Sequence, residues 1–180
     1  MPRHPTHIGI AFYTMEGFPL QWVIVLSSCQ RFNSTVWCGT VIESVIGRSP
    51  GWVESWSKCE NSPATFSPHL FLLGIIKVET VHEQPSDIIE SISTLAWKPQ
   101  DVRGDDGGKK YPPSDEYVRQ VILHLCNERV ITLPPRVKIT FATHIGERLS
   151  KLREKPASKI NMYPIVPIGA GDVVYGRTKI

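Results

Sequence analysis

Apolar residues in the first half of the chain fall in short runs rather than at helical spacing. Residues 7–14, from His7 to Thr14, are rich in Ile, Phe and Tyr, and Leu20 to Ser28 is nearly continuous in apolar side chains. Gly17, Phe18 and Pro19 separate the two runs, so the pattern predicts an antiparallel hairpin. Val36 to Val45 alternates around Trp37, Gly39, Val41 and Val45, which predicts a third strand. The stretch from Gly47 to Pro68 is dense in Ser, Pro and Gly and is expected to be a long ordered loop, pinned to the core by Trp52 and Trp56. His69 to Glu79 carries Phe71, Leu72, Leu73, Ile75, Ile76 and Val78 and is the strongest strand candidate.

The period then changes. Ile88, Ile89, Ile92 and Leu95 predict a helix capped by Ser86 and ended before Pro99. Residues 100–113 combine Gly104, Asp105, Asp106, Gly107, Gly108, two lysines and two prolines, the composition of a flexible surface loop. From Ser114, the residues Val118, Val121, Ile122 and Leu125 form one apolar stripe, with Asp115 and Glu116 in the first turn, where the helix dipole favours them. A last helix is expected from about Arg136 to Lys155, carrying Val137, Phe141, Ile145, Leu149 and Leu152. Pro164 and Pro167 bracket an extended piece, and Asp172 to Tyr175 predicts a short final strand. The elements add up to an α+β fold: an antiparallel sheet packed by two to three helices in a single domain spanning 1–180.

Composition narrows the function classes. A chain of 180 residues can bury roughly two thirds of its unfolded surface in one core. Hydrophobic residues at 41% and charged residues at 21% are ordinary globular values. The net charge of +3 is too even for nucleic-acid binding, and the basic lean at Arg136, Lys138, Arg148, Lys151, Arg153, Lys155 and Lys159 is interleaved with Glu147 and Glu154, as on a solvated helix face. No apolar run approaches the roughly 20 residues of a membrane helix, and the start lacks a secretory h-region. A cytoplasmic protein is therefore expected, with Cys29, Cys38, Cys59 and Cys126 as free thiols in a reducing compartment.

Motifs with chemistry are sparse. No cysteine pair has zinc spacing, and His124 and Cys126, two apart on a helix, point in different directions, so no metal is expected. Gly169 and Gly171 precede no helix and read as a turn rather than a phosphate loop. Asp105 and Asp106 lack the spaced oxygens of a calcium loop. Nothing calls for a cofactor. None of His4, His7, His69, His82, His124 and His144 lies beside a serine or cysteine in a local catalytic pattern. Ser114, at the mouth of its helix, is either a cap or a nucleophile facing the positive end of the helix dipole.

Four segments point further. Residues 19–25, Pro-Leu-Gln-Trp-Val-Ile-Val, are similar to a His-Trp-apolar strand, and residues 114–118, Ser-Asp-Glu-Tyr-Val, to a Cys-x-x-Trp-Val helix start. Residues 75–78 and 166–168 fit the same order. On these the chain resembles the permuted papain-like superfamily that includes the lecithin:retinol acyltransferases, and more closely a family of small fungal proteins with that arrangement. The resemblance implies a catalytic histidine at Gln21 and a catalytic cysteine at Ser114, with Trp22 and Tyr117 flanking the cleft. Glutamine is no base near neutral pH, and serine without a base is a poor nucleophile, a loss of roughly 10² to 10⁴ in rate for the missing base alone. The implied protein is a pseudoenzyme that binds a small molecule, peptide or partner protein through its former active-site cleft. The alternative is a serine-dependent hydrolase or acyl transferase, or a biosynthetic enzyme acting on a hydrophobic metabolite, with His7 or His144 near the Ser114 hydroxyl.

Overall fold

The computed structural model describes residues 4–46, 49–95, 113–154 and 161–178. Its element order is β1 (Thr6–Thr14), β2 (Gln21–Ser27), β3 (Val36–Ile46), β4 (Ser49–Cys59), β5 (Phe71–Val81), α1 (Pro85–Ser93), α2 (Ser114–Asn127), α3 (Pro135–Ile139), α4 (Phe141–Glu154), β6 (Met162–Pro167) and β7 (Val174–Arg177). The strands form one seven-stranded sheet in the order β4-β3-β2-β1-β5-β6-β7. The α+β class is as expected. The sheet is mixed, however, because β6 enters parallel to β5, with Ile75 opposite Ile165 and Ile76 opposite Val166. The chain reaches β6 only after crossing the sheet through its helices, and such a return can deliver a strand in the same direction as its neighbour.

Strand alternation divides the core in two. On one face Ile8, Ile10, Phe12, Ile24, Leu26 and Ile76 meet the α2 stripe of Val118, Val121, Ile122 and Leu125, together with Ile145 and Leu152 of α4. On the other face Ala11, Tyr13, Val23, Val25, Cys38, Ile75, Tyr163 and Ile165 are covered by irregular chain. Phe32 of the β2–β3 loop, fully buried at φ 50, is part of that cover, and Tyr13 donates a hydrogen bond of 2.6 Å to the carbonyl of Pro63 in a short 3-10 turn. Both faces of β1 and β2 are therefore dry, which is why those strands read as continuous apolar runs.

Four expectations are corrected. The loop expected from Gly47 to Pro68 contains β4, paired with β3 from Ile46↔Ser49 to Val36↔Cys59. Strand preference depends strongly on cross-strand packing, and here Trp56 lies over Gly39, whose missing Cβ would sit 2.5 Å from the indole. Ser86 does not cap α1: Gln84 holds the cap position, Pro85 takes the first helical position, and the Ser86 hydroxyl turns to the Asp87 carboxylate at 3.4 Å. The helix expected from Arg136 to Lys155 is two helices. They break at Thr140, whose hydroxyl donates to the Arg136 carbonyl at 2.7 Å and competes with regular helix bonding. The final strand begins two residues later than expected, at Val174. The loop expected at 100–113 lies, apart from Pro113, outside the described residues, as does Lys155. Among the described residues no helix is long and apolar enough to cross a membrane.

Candidate functional site

The β1–β2 hairpin and the start of α2 meet on the helical face of the sheet. Phe12 and Trp22, opposite each other across the hairpin, pack edge to face with ring centroids 5.0 Å apart. Ser114, the first residue of α2 and only 2% exposed, sits over this pair. Its hydroxyl does not cap its own helix but accepts a hydrogen bond from the Trp22 backbone N–H at 3.1 Å. The hydroxyl thus ties the helix start to the sheet. Pro113 occupies the cap position without a side-chain cap, and Glu116 binds Arg119 and Gln120, which together hold its carboxyl below the usual range.

Gln21 is placed differently. It pairs with Tyr13, a member of the opposite-face cluster, and alternates with Trp22, which packs into the helical-face cluster. Its amide donates to the Pro19 carbonyl at 3.1 Å. Ser114 therefore bonds the strand residue next to Gln21 from the helical side, while the Gln21 side chain is directed to the opposite face of β2. Trp22 and Tyr117, by contrast, both belong to the helical side of the sheet, with Tyr117 fully buried.

The histidines proposed as bases serve other partners. His7 Nδ1 lies 2.9 Å from the Thr80 hydroxyl, and His144 Nε2 donates to the Ile168 carbonyl at 2.6 Å. His124 joins α2 to α1 through Ser91. Among the described residues no histidine hydrogen-bonds Ser114, and no group of three or more His, Cys, Asp or Glu could hold a metal ion.

A polar node stands beside the Ser114 contact. Glu54 of β4 projects from the helical face half-buried and accepts from Trp56 Nε1 at 2.6 Å and from the Ser93 hydroxyl at the end of α1 at 3.3 Å. Tyr117 of α2 lies close enough to the same carboxylate to feel its charge. Burial first, and then the Glu54 charge, push the phenol well above its ordinary pKa, so it stays a protonated donor. One carboxylate thus stands where β4, α1 and α2 meet, with the half-buried indoles of Trp52 and Trp56 two residues to either side on the strand and with the Ser93 hydroxyl shared between it and the Ile89 carbonyl. The reading of 47–68 as a loop hid this node. The signal was present, since Trp52, Glu54 and Trp56 recur at a period of two, the spacing that places residues on one face of a strand.

Across the sheet, Cys38 and Cys59 bring their sulfurs to 3.8 Å as free thiols. The Cys38 hydrogen bond lowers the Cys59 thiol to about 7, while Cys38 itself is pushed up, chiefly by that same bond and by burial. Compared with known proteins, the chain matches no family model, no curated protein and no solved structure, so its own geometry carries the functional reading.

Proposed function

We propose that the protein works by binding rather than by covalent catalysis, with the face around Glu54, Trp22 and Trp56, backed by the buried Tyr117, as its contact surface. The observation that carries this is the division of labour between two polar groups. The Ser114 hydroxyl is committed to the Trp22 backbone, while Glu54 is a half-buried carboxylate between aromatic walls. A carboxylate offers about four acceptor positions, and the bonds from Trp56 and Ser93 both fall on its Oε1 oxygen. Indole faces attract cations, so the surface suits an ammonium or guanidinium carried on an apolar group, whether a small molecule or a side chain of a peptide or partner protein. The papain-like kinship enters as the reading in which α2 packs on β2 and closes the former cleft, displacing recognition toward β4. What supports that reading is the contact of the α2 start with the hairpin.

Benzylamine tests it. Titration followed by nuclear magnetic resonance is expected to move the Trp56 indole N–H resonance, and Glu54→Gln is expected to weaken the response roughly tenfold, the loss of one charge-assisted bond. Turnover of a p-nitrophenyl ester or a peptide amide that disappears in Ser114→Ala would overturn the proposal, as would a benzylamine response unchanged in Glu54→Gln.

A further inference from the structure

A second recess lies at the other edge of the sheet, remote from Glu54, since β4 and β7 are its two outermost strands. It measures about 510 Å³ and is lined by Arg31, Asn33, Met162, Val174, Tyr175 and Arg177. Among the described residues the lining contains two guanidinium groups and no acidic residue. Both arginines are exposed, and neither pairs with a carboxylate among the described residues. Two arginines thus border one cavity without a carboxylate partner among the described residues, which leaves both guanidinium groups open to an anion.

The scaffold beneath them is rigid. Arg31 stands on the β2–β3 loop, which Tyr163 of β6 holds by donating to the carbonyls of Arg31 (3.1 Å) and Phe32 (2.7 Å). The loop is further closed by Phe32 N–H to the Cys29 carbonyl at 2.9 Å, Cys29 Sγ to Asn33 Oδ1 at 2.7 Å, and Ser27 Oγ to the Thr35 carbonyl at 3.1 Å. Arg177 stands on β7, one residue after Gly176. Gly176 lies directly against the Tyr163 ring, which a Cβ at that position would overlap. The same tyrosine therefore crosses the strand that carries one arginine and anchors the loop that carries the other, setting the spacing of the two backbone positions from which the guanidinium groups reach before any ligand arrives. Pre-organisation of this kind removes ordering costs from binding.

We propose that this recess is an anion site for a small organic phosphate. Arginine forks match phosphate oxygens two at a time, and a phosphomonoester dianion answers both positive charges, which a single carboxylate does not. Asn33 and Tyr175 can supply further polar contacts, while the Tyr175 ring, Met162 and Val174 offer apolar surface to an organic moiety. The volume exceeds what a lone phosphate fills, and this favours an ester over the inorganic ion.

Isothermal titration calorimetry of the full chain with phenyl phosphate, inorganic phosphate and benzoate, each as a separate titrant, decides the matter. Phenyl phosphate is expected to bind more tightly than either of the others, and to weaken as pH falls below about 6, where the dianion takes up a proton. Arg31→Ala and Arg177→Ala are each expected to weaken it roughly tenfold, and Arg31→Lys by less, because charge survives without the fork. Tyr175→Ala should weaken phenyl phosphate more than inorganic phosphate, because the ester loses the ring contact as well as the hydroxyl. Melting curves identify any variant that fails to fold, and Arg31 and Arg177, being exposed, are expected to melt as the parent does when replaced. Binding undiminished in the Arg31→Ala/Arg177→Ala double variant overturns the proposal. So does affinity for benzoate equal to that for phenyl phosphate, which marks a merely electropositive surface, or the absence of heat with any titrant. None of these outcomes bears on Glu54, so the two proposals stand or fall separately.

Discussion

Removing the Ser114 hydroxyl separates a structural serine from a nucleophile. In Ser114→Ala the Trp22 N–H, part-buried between hairpin and helix, loses its acceptor. A buried donor left unsatisfied costs about 1–3 kcal/mol, and urea unfolding is expected to show a loss of that size. Unchanged stability would mean that water or another acceptor already serves this N–H. His7 offers a different residue-level test. Burial, and then the Lys77 ammonium, lower its pKa from the ordinary 6.5, so the fold holds the imidazole neutral. Between the folded value and 6.5 the unfolded chain binds a proton that the folded chain refuses. Stability is therefore fully present above 6.5 and falls as pH drops from there through the folded value. Unfolding measured from about pH 7 to about pH 5 should have a shallower acid slope in His7→Gln, whose amide can keep the Thr80 contact. An identical slope would show that another group carries the proton linkage.

Among the elements, the β3–β4 hairpin makes the sharpest claim, because it places Cys38 and Cys59 beneath the opposite-face cover. Cys59 has the more acidic thiol but is 6% exposed, and Cys38 is wholly buried, so access and not acidity governs their chemistry. An aromatic disulfide reagent at pH 8 is expected to titrate Cys29 and Cys126 in the native protein, and all four thiols only in denaturant. Cys29 should react before Cys126, whose thiol is pushed up by burial. Rapid native reaction of Cys59 would show that β4 is not packed as described. The same hairpin marks where local reading of the sequence ran out. Ser and Gly are poor strand formers by composition, and the partner that makes residues 49–59 a strand, β3, lies across the hairpin rather than within the segment. The α2 helix was the opposite case, since its stripe from Val118 to Leu125 and its acidic first turn need no partner to be recognised.

For the whole molecule, the sheet order separates two polar surfaces that the chain carries far apart. The Glu54 node uses β4, α1 and α2, and the arginine recess uses the β2–β3 loop and the β6–β7 ribbon. Neither surface was legible in the sequence as a site. Arg31 and Arg177 stand at opposite ends of the chain and share a recess only because β6 docks parallel to β5 and carries Tyr163 under the loop. The dyad positions show the reverse. Gln21 and Ser114 each lie where the pattern put them, at a strand start and a helix start, yet strand alternation turns Gln21 to the face away from α2.

The sequence by itself determined the α+β class, the first hairpin, β3, β5 and the α2 helix, because each is written in local periodicity and in turn or dipole chemistry within a few residues. The tertiary structure alone decided that 49–59 is a strand, that β6 runs parallel, that the Ser114 hydroxyl bonds Trp22, and that two distant arginines meet. Each of these depends on which surfaces meet after the chain has crossed the sheet, and hydrophobic spacing along the chain specifies a buried face without naming the face that covers it.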